Sequence, residues 1–167
     1  MESHQRAGRS VLLALVLLVV VTVPLFAVSG YAAGNPAASG GGTTVELGEK
    51  STFTFNAVQK PTGTVTGHLV YQVRGLDIGF HMDIDCLDIV GNSATLSGVV
   101  THITGSGTVP DFLFVGQHGV FSVTDNGEGA DAPPDLISDV LLDPAVSCEG
   151  GLLLTYLPVD GNVQVSE

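Results

Sequence analysis

Residues 78–103 read IGFHMDIDCLDIVGNSATLSGVVTHI, and this stretch decides the fold. From Phe80 to Ile84 every second residue is apolar, which is the period of a β-strand with one buried face. Gly91-Asn92 is a turn sequence, and the apolar pattern resumes over Ala94–Ile103. The stretch therefore predicts a long antiparallel hairpin, with its first strand over residues 78–90.

The alternation in this first strand slips by one position near its middle. Cys86 continues the apolar positions that precede it, but Leu87 and Ile89 carry them afterwards. One extra residue in a strand restores the buried face without turning the core side outward. We therefore predict a β-bulge near Cys86–Leu87.

Further short segments on both sides of the hairpin alternate in the same way or lie between turn residues. Such strands at regular spacing, in a chain with 22 glycines, are typical of an antiparallel sheet. We predict an all-β fold, a single antiparallel β-barrel or β-sandwich of about eight short strands. The additional strands are predicted over Ser51–Val58, Gly67–Arg74, Phe112–Val115, Gly119–Thr124, Leu136–Leu142 (a short helix is the alternative there), Gly151–Tyr156 and Asn162–Val165.

The N-terminal residues 1–32 have the order of a secretory leader. Arg6 and Arg9 precede an apolar run, Val11–Val28, which gives way to small residues. This pattern predicts a signal peptide, with an uncleaved N-terminal membrane anchor as the alternative, because a predominantly apolar run of eighteen residues is just long enough to span a bilayer. Either way the arginines stay inside, so we expect the rest of the chain to be extracellular or at the cell surface, exported through the general secretory route.

The residues after the leader divide into two parts. Residues 33–44 read AGNPAASGGGTT, a composition typical of a flexible linker. We therefore expect the all-β domain to comprise residues 45–167.

The charge of the chain restricts its partners. The net charge is −12, and the leader holds Arg6 and Arg9, which leaves Lys50, Lys60 and Arg74 as the basic residues of the remainder. Such a surface repels nucleic acid and anionic lipid headgroups. We expect no nucleic-acid partner, and membrane contact only through the N-terminal segment if it is retained.

Two cysteines, Cys86 and Cys148, occur in the part of the chain that we expect to be exported. An even number of cysteines in an oxidising compartment favours a disulfide. A buried pair of free thiols and a metal site are the alternatives, although two cysteines without the C-x-x-C spacing make a poor zinc site. We predict the Cys86–Cys148 disulfide.

One cluster of residues in the long hairpin has the chemistry of a metal site. His81 and Asp83 lie two residues apart and share the polar face of their strand. With His102 or His118 they would form the two-histidine, one-carboxylate set of non-haem iron enzymes. The alternative is the wet face of a half-buried strand, which shows the same alternation.

A second cluster is acidic and occupies a single loop. Calcium takes six to eight oxygen ligands, and an extracellular acidic loop can supply them. The spacing is not that of an EF-hand, and the Asn-Gly pair also has an explanation as a turn. We predict no cofactor, with Ca²⁺ as the alternative for this loop, whose polar residues are Asp125, Asn126, Glu128, Asp131 and Asp135.

Three segments together carry a resemblance to a known group of proteins. They are residues 85–98 (DCLDIVGNSATLSG), residues 123–135, which include VTDNGEG and APPD, and residues 161–165 (GNVQV). In these the chain resembles small secreted β-proteins of actinobacteria and chloroflexi to which no activity is assigned. The resemblance covers roughly residues 50–165 and implies an extracytoplasmic β-domain with a cysteine pair. It implies no substrate and no functional residue.

No catalytic motif accompanies these features: a Gly-x-Ser-x-Gly elbow and a phosphate-binding loop are both missing from the sequence. The sequence therefore favours a secreted or surface-tethered, non-enzymatic binding module with an unknown ligand or cell-surface partner. A metal-dependent enzyme built on His81 and Asp83 is one alternative. A β-barrel that carries a small apolar ligand is the other.

Overall fold

The computed structural model describes residues 34–46, 48–129, 131–143, 145, 147–149 and 156–167, so the predicted leader lies outside the described residues. Among the residues it does describe, no helix is long and apolar enough to cross a membrane. The described strands are β1 (Ala37–Glu46), β2 (Glu49–Gln59), β3 (Val65–Val73), β4 (Ile78–Val90), β5 (Ser93–Gly105), β6 (His118–Thr124), β7 (Leu136–Ser138), β8 (Leu141–Leu142), β9 (Tyr156–Pro158) and β10 (Asp160–Ser166).

These strands form one antiparallel sheet that curls into a nearly closed barrel. From β1 to β7 each strand pairs with the next one along the chain, and β8 continues along β6 after β7. β9 pairs with β7, whereas β10 pairs with β1 at the other end of the sheet. The all-β antiparallel prediction is confirmed, and the barrel is the form that the chain adopts.

The two ends of the barrel differ. One end, the mouth, is where β1 ends at Glu46 and where the turn 74–77 and the loop 106–117 lie. The other end, the base, holds the turn Gly91-Asn92, the loop 125–135 and the start of β1 at Ala37. The chain therefore enters the barrel at the base, and β1 runs from the base to the mouth.

The predicted hairpin forms the longest pair of strands. β4 has the predicted bounds, and its register with β5 shifts twice, between His81 and Met82 and between Ile84 and Cys86. At the second shift Asp85 is the residue left without a partner, so the predicted bulge is confirmed one residue earlier than expected. It lets Leu87 continue the inward face.

The prediction that residues 33–44 form a flexible linker is wrong, because Ala37–Glu46 is strand β1 and pairs on both sides, with β2 and β10. The glycines of this segment serve packing instead of flexibility. A Cβ on Gly42 would lie 2.6 Å from the Asp160 carbonyl oxygen, and one on Gly40 would lie 2.7 Å from that of Asn162. The backbones of β1 and β10 therefore approach too closely for larger residues, and the β-domain begins near residue 37.

Residues 156–166 nearly close the barrel by changing partners. Their first part, β9, pairs with β7, and their second part, β10, pairs with β1. At the change of partner Val159 donates its N–H to the Asp135 carbonyl, at 2.8 Å, and the Thr44 hydroxyl donates to the Pro158 carbonyl, at 3.2 Å. The resulting seam lies between β10 and the loop 125–135.

The barrel interior is filled by side chains. Phe121, Leu69, Met82 and Leu96 are completely buried, and they come from four consecutive strands of the wall. Phe121 packs edge-on against Phe55, with ring centroids 5.5 Å apart. The inward alternation that the sequence shows therefore produces a packed core.

The Cys86–Cys148 disulfide is present, as predicted, with the two Cα atoms 5.9 Å apart. It fastens the segment around Cys148, which is buried, to β4. The Ser97 hydroxyl on β5 also accepts the Cys148 N–H, at 3.2 Å. A disulfide of this kind is consistent with an oxidising, extracellular-type environment.

Two predicted strands need correction, and a third lies largely beyond the described residues. Phe112–Val115 is not a strand, because turn hydrogen bonds from Leu113 to Pro110 and from Gln117 to Phe114 fold this segment instead. Leu136–Leu142 is two short strands, β7 and β8, separated at Asp139. Residues 151–155 of the predicted strand Gly151–Tyr156 fall outside the described part.

Replacement of Gly42 by alanine tests the close approach of β1 and β10. Because the new methyl group would overlap the Asp160 carbonyl, we expect Gly42→Ala to lower the free energy of unfolding by about 1–3 kcal/mol. Chemical denaturation measures this difference. Gly34→Ala is the matched control, since a Cβ there meets no atom within 4 Å. Equal stability of the two variants would contradict the role of Gly42.

Candidate functional site

A pocket of about 270 Å³ opens at the mouth of the barrel. Four parts of the chain converge on it: the β1–β2 turn, the strand ends around the turn 74–77, the loop 106–117 and the segment 140–142. Its wall is mostly apolar, and the apolar residues are Val73, Leu76, Ile78, Phe80, Pro110, Phe112, Leu113, Val140 and Leu142.

The β3–β4 pair sets the floor of this pocket. Tyr71 and Phe80 are opposite each other in the register, and their rings stack with centroids 5.6 Å apart. Both side chains are inward-facing and buried, because each strand alternates its faces residue by residue. The pocket therefore stands on the packed core of the barrel.

Asp77 holds the loop 106–117 over this floor. Asp77 accepts the Ser106 N–H at 3.1 Å and also bonds the Ser106 hydroxyl, and its carbonyl accepts the Gly107 N–H at 3.0 Å. The hydrogen bonds from Ser106 lower the pKa of the Asp77 carboxyl. The start of the loop is thereby fastened to the turn between β3 and β4.

The loop 106–117 presents large apolar side chains to solvent. Phe112 is 66% exposed, Val115 is 60% exposed and Phe114 is 51% exposed. Across the pocket Leu76 is 53% exposed. Exposed apolar side chains next to an apolar pocket are typical of a binding surface.

Carboxylates supply the polar part of the site. The buried Tyr71 hydroxyl donates to Glu46 Oε2 at 3.1 Å. Burial raises the pKa of Glu46, the charge of Asp139 raises it further, and the hydrogen bond from Tyr71 opposes both. Burial also raises the pKa of Asp139 and that of the Tyr71 hydroxyl.

The histidines of the metal hypothesis converge only in part. His81 and His102 are cross-strand partners, with ring centroids 5.7 Å apart and edge to face. Asp83 pairs in the register with His68 and with Val99, and His118 lies one strand further, on β6. In the described ranges no three histidine, cysteine, aspartate or glutamate side chains are arranged to hold a metal ion.

The acidic loop has a structural role at the seam. Asp135 is buried, and its two oxygens accept the N–H groups of Asn126 at 2.8 Å and of Val163, on β10, at 2.7 Å. The two carboxylate oxygens of Asp125 likewise accept the N–H groups of Gly127 at 2.8 Å and of Val165 at 3.1 Å. These two members of the calcium candidate set thus bind backbone donors of their own chain. Calcium binding by the loop stays the alternative to the predicted absence of a cofactor.

Sequence reasoning missed the pocket. The sequence pattern puts Glu46 just after a predicted linker and Phe112 on a predicted strand, so it connects neither residue with Tyr71. The sequence does contain one signal, the run of apolar residues between Pro110 and Gly116, which is bounded by residues that favour turns. Nothing in a single sequence brings that run to Glu46, which is 66 residues from Phe112.

Comparison of the chain with protein-family models, with curated proteins and with solved structures finds no match. The resemblance to small secreted bacterial β-proteins therefore stays a prediction, and the site rests on its geometry.

The raised pKa of Glu46 gives a pH dependence with a definite sign. A carboxyl group whose pKa is raised by folding stabilises the fold when protonated, below its ordinary value of 4.5, and this contribution is lost as the pH rises through the raised pKa. Glu46→Gln stays neutral and keeps an acceptor for Tyr71. We expect its free energy of unfolding to exceed that of the wild type by an amount that grows from pH 4.5 to pH 7.

Urea denaturation at several pH values measures this difference. Glu128→Gln removes the same charge from an exposed position at the base and is the matched control, for which we expect no comparable growth. The opposite result would contradict this prediction: if Glu46→Gln were less stable than the wild type, by an amount that grows with rising pH, the ionised carboxylate would be stabilising the fold.

Removal of Asp135 tests the seam. Asp135→Ala leaves the Asn126 and Val163 N–H groups without their acceptor, and the loss of two hydrogen bonds to a buried charged group is worth about 3–5 kcal/mol of stability. Thermal unfolding measures this loss of stability. Asp131→Ala, in an exposed part of the same loop, is the control and should change stability by less than about 0.5 kcal/mol. Similar melting temperatures for both variants would disprove the role of Asp135.

Proposed function

We propose that the protein is a secreted or surface-tethered binding module that acts without catalysis and takes the apolar part of a ligand into the pocket at the mouth. The single observation that carries this proposal is the apolar pocket itself, bordered by Phe112, which is 66% exposed. Exposure of so large an apolar side chain is unfavourable in water, and a ligand that covers it gains the corresponding free energy.

The ligand binds at the mouth and not within the barrel, because side chains such as Phe121 and Met82 fill the interior. This distinguishes the proposal from a carrier that encloses its ligand. The pocket has a volume of about 270 Å³. A small molecule, or the apolar end of a larger one, has this size.

Export is part of the same proposal. The apolar run Val11–Val28 behind two arginines favours the general secretory route, and the Cys86–Cys148 disulfide supports an oxidising destination. A binding module with an accessible mouth suits an extracellular or cell-surface position, where its ligand would be a small molecule or part of a surface partner.

A metal-dependent enzyme is the less supported alternative. Its best observation is the pair formed by His81 and His102, and it needs a carboxylate or a third histidine on the same metal. The described residues do not supply that third ligand in place, since Asp83 and His118 pair elsewhere in the sheet.

A titration with 1-octanol, a neutral probe of nine heavy atoms, tests the proposal. We expect octanol to shift the amide signals of mouth residues in NMR spectra of the exported, ¹⁵N-labelled protein, and to do so saturably. Phe112→Ser removes about 1.5–3 kcal/mol of apolar burial and should weaken binding by about ten- to a hundredfold.

Val90→Ser is the control for this experiment. Val90 is 73% exposed but ends β4 at the base, so its replacement removes an exposed apolar side chain without touching the pocket. We expect its affinity for octanol to equal that of the wild type. Absence of saturable shifts at the mouth, or equal affinities of the Phe112 and Val90 variants, would refute the proposal.

A further inference from the structure

We infer that the pocket at the mouth selects an amphiphile whose polar head is a cation, such as a primary alkylammonium. This inference rests on the proposed function and adds the chemistry of the head group. It follows from the side chains around the pocket. The polar ones accept hydrogen bonds and are negatively charged or neutral, and no basic side chain occurs in the described lining.

The polar residues that line the pocket are Glu46, Glu49 and Tyr71. Tyr71 has a single hydroxyl proton and donates it to Glu46, so towards a ligand it offers only lone pairs. The two glutamates, once ionised, have no proton to donate at all. A ligand that forms hydrogen bonds with these groups must therefore provide the donors itself.

Asp139 adds an acceptor without a partner. Its Oδ1 atom is buried and has no hydrogen-bond partner within the described residues, and the next residue, Val140, lines the pocket. The charge of Asp139 also raises the pKa of Glu46. Because its Oδ1 atom is buried, Asp139 does not contact a ligand through that atom, but its negative charge beside Val140 favours a cation in the pocket.

The basic residues of the barrel do not offset the negative charge of the carboxylates in and beside the pocket. Lys50 and Arg74 lie near the mouth, but both are exposed and neither lines the pocket. Lys60 lies in the turn after β2, at the base. An anionic head, such as a carboxylate or a phosphate, would meet Glu46, Glu49 and Asp139 without a counter-charge.

The apolar wall also suits a cation. Tyr71, Phe80 and Phe112 are three aromatic side chains around one small pocket, and their ring faces attract cations as well as alkyl groups. The combination of aromatic rings and carboxylates fits an alkylammonium better than an alcohol of equal length, and much better than a fatty acid.

Three probes of eight carbon atoms each test this inference: octylammonium, 1-octanol and octanoate, titrated into the exported protein at pH 7 and low salt. We expect octylammonium to bind about tenfold more tightly than octanol, which corresponds to one well-placed charged hydrogen bond, and octanoate to bind most weakly. Phe112→Ser should weaken the binding of all three probes.

Replacement of the carboxylates assigns the preference to them. In Glu46→Gln and in Asp139→Asn we expect the ratio of the octylammonium to the octanol affinity to fall several-fold. Glu128→Gln removes an equal charge at the base and should leave the ratio unchanged. Elevated salt should reduce the ratio as well, because it screens the interaction of charges.

The outcomes separate the two proposals. If none of the three probes binds at the mouth, the proposed function fails and this inference fails with it. If the probes bind there with equal affinity, or octanoate binds best, the pocket stands and the cationic head group is refuted. A preference for octylammonium that survives in both carboxylate variants would likewise refute the assignment to Glu46 and Asp139.

Discussion

A β-sheet that curls into a barrel must satisfy the backbone groups of its last strand, and here β10 meets that requirement through the side chains of Asp125 and Asp135. Barrel closure by strand pairing alone would need a neighbour along the whole of β10, whereas the loop 125–135 supplies two carboxylates instead. Each carboxylate also holds a backbone N–H group of its own loop. The loop and the last strand are therefore ordered by the same interactions, and the core inside them depends on this seam.

The sequence predicted the parts of the fold that follow from local alternation. β4 has the predicted bounds, the bulge beside Cys86 is present, and the disulfide forms, because each of these is encoded within a short window or by a single pair of cysteines. β1 was missed for a physical reason. Its glycines have the composition of a linker, and only the presence of β10 beside them reveals that they are required by close packing.

The pocket could not be predicted in the same way, because it depends on contacts between distant segments. Tyr71 lies within the predicted strand Gly67–Arg74, but its partner Glu46 is 25 residues away in the sequence. Phe112 has the apolar character of a strand residue, and the turn hydrogen bonds of its loop are what leave it in solvent. Periodicity identifies which residues face the core; it does not identify which ends of strands meet above the core.

The site combines two tendencies that oppose each other in a folded protein. Burial disfavours the ionised forms of Glu46 and Asp139, and yet Glu46 lines an apolar pocket instead of turning fully to solvent. Natural sequences keep such locally unfavourable arrangements mostly where they serve a function. No such unfavourable arrangement supports the metal hypothesis, because His81 and His102 lie on the outer wall as an ordinary cross-strand pair.

Strand β1 determines which end of the barrel an attachment ahead of it would reach. It starts at Ala37 at the base and reaches the mouth only at Glu46, about 30 Å along the strand. A bead, a fluorophore or a fusion partner joined ahead of residue 37 would thus be connected to the base. Immobilisation through the N-terminal side would leave the mouth turned towards the solution, whereas a group attached in the β1–β2 turn would stand in its opening.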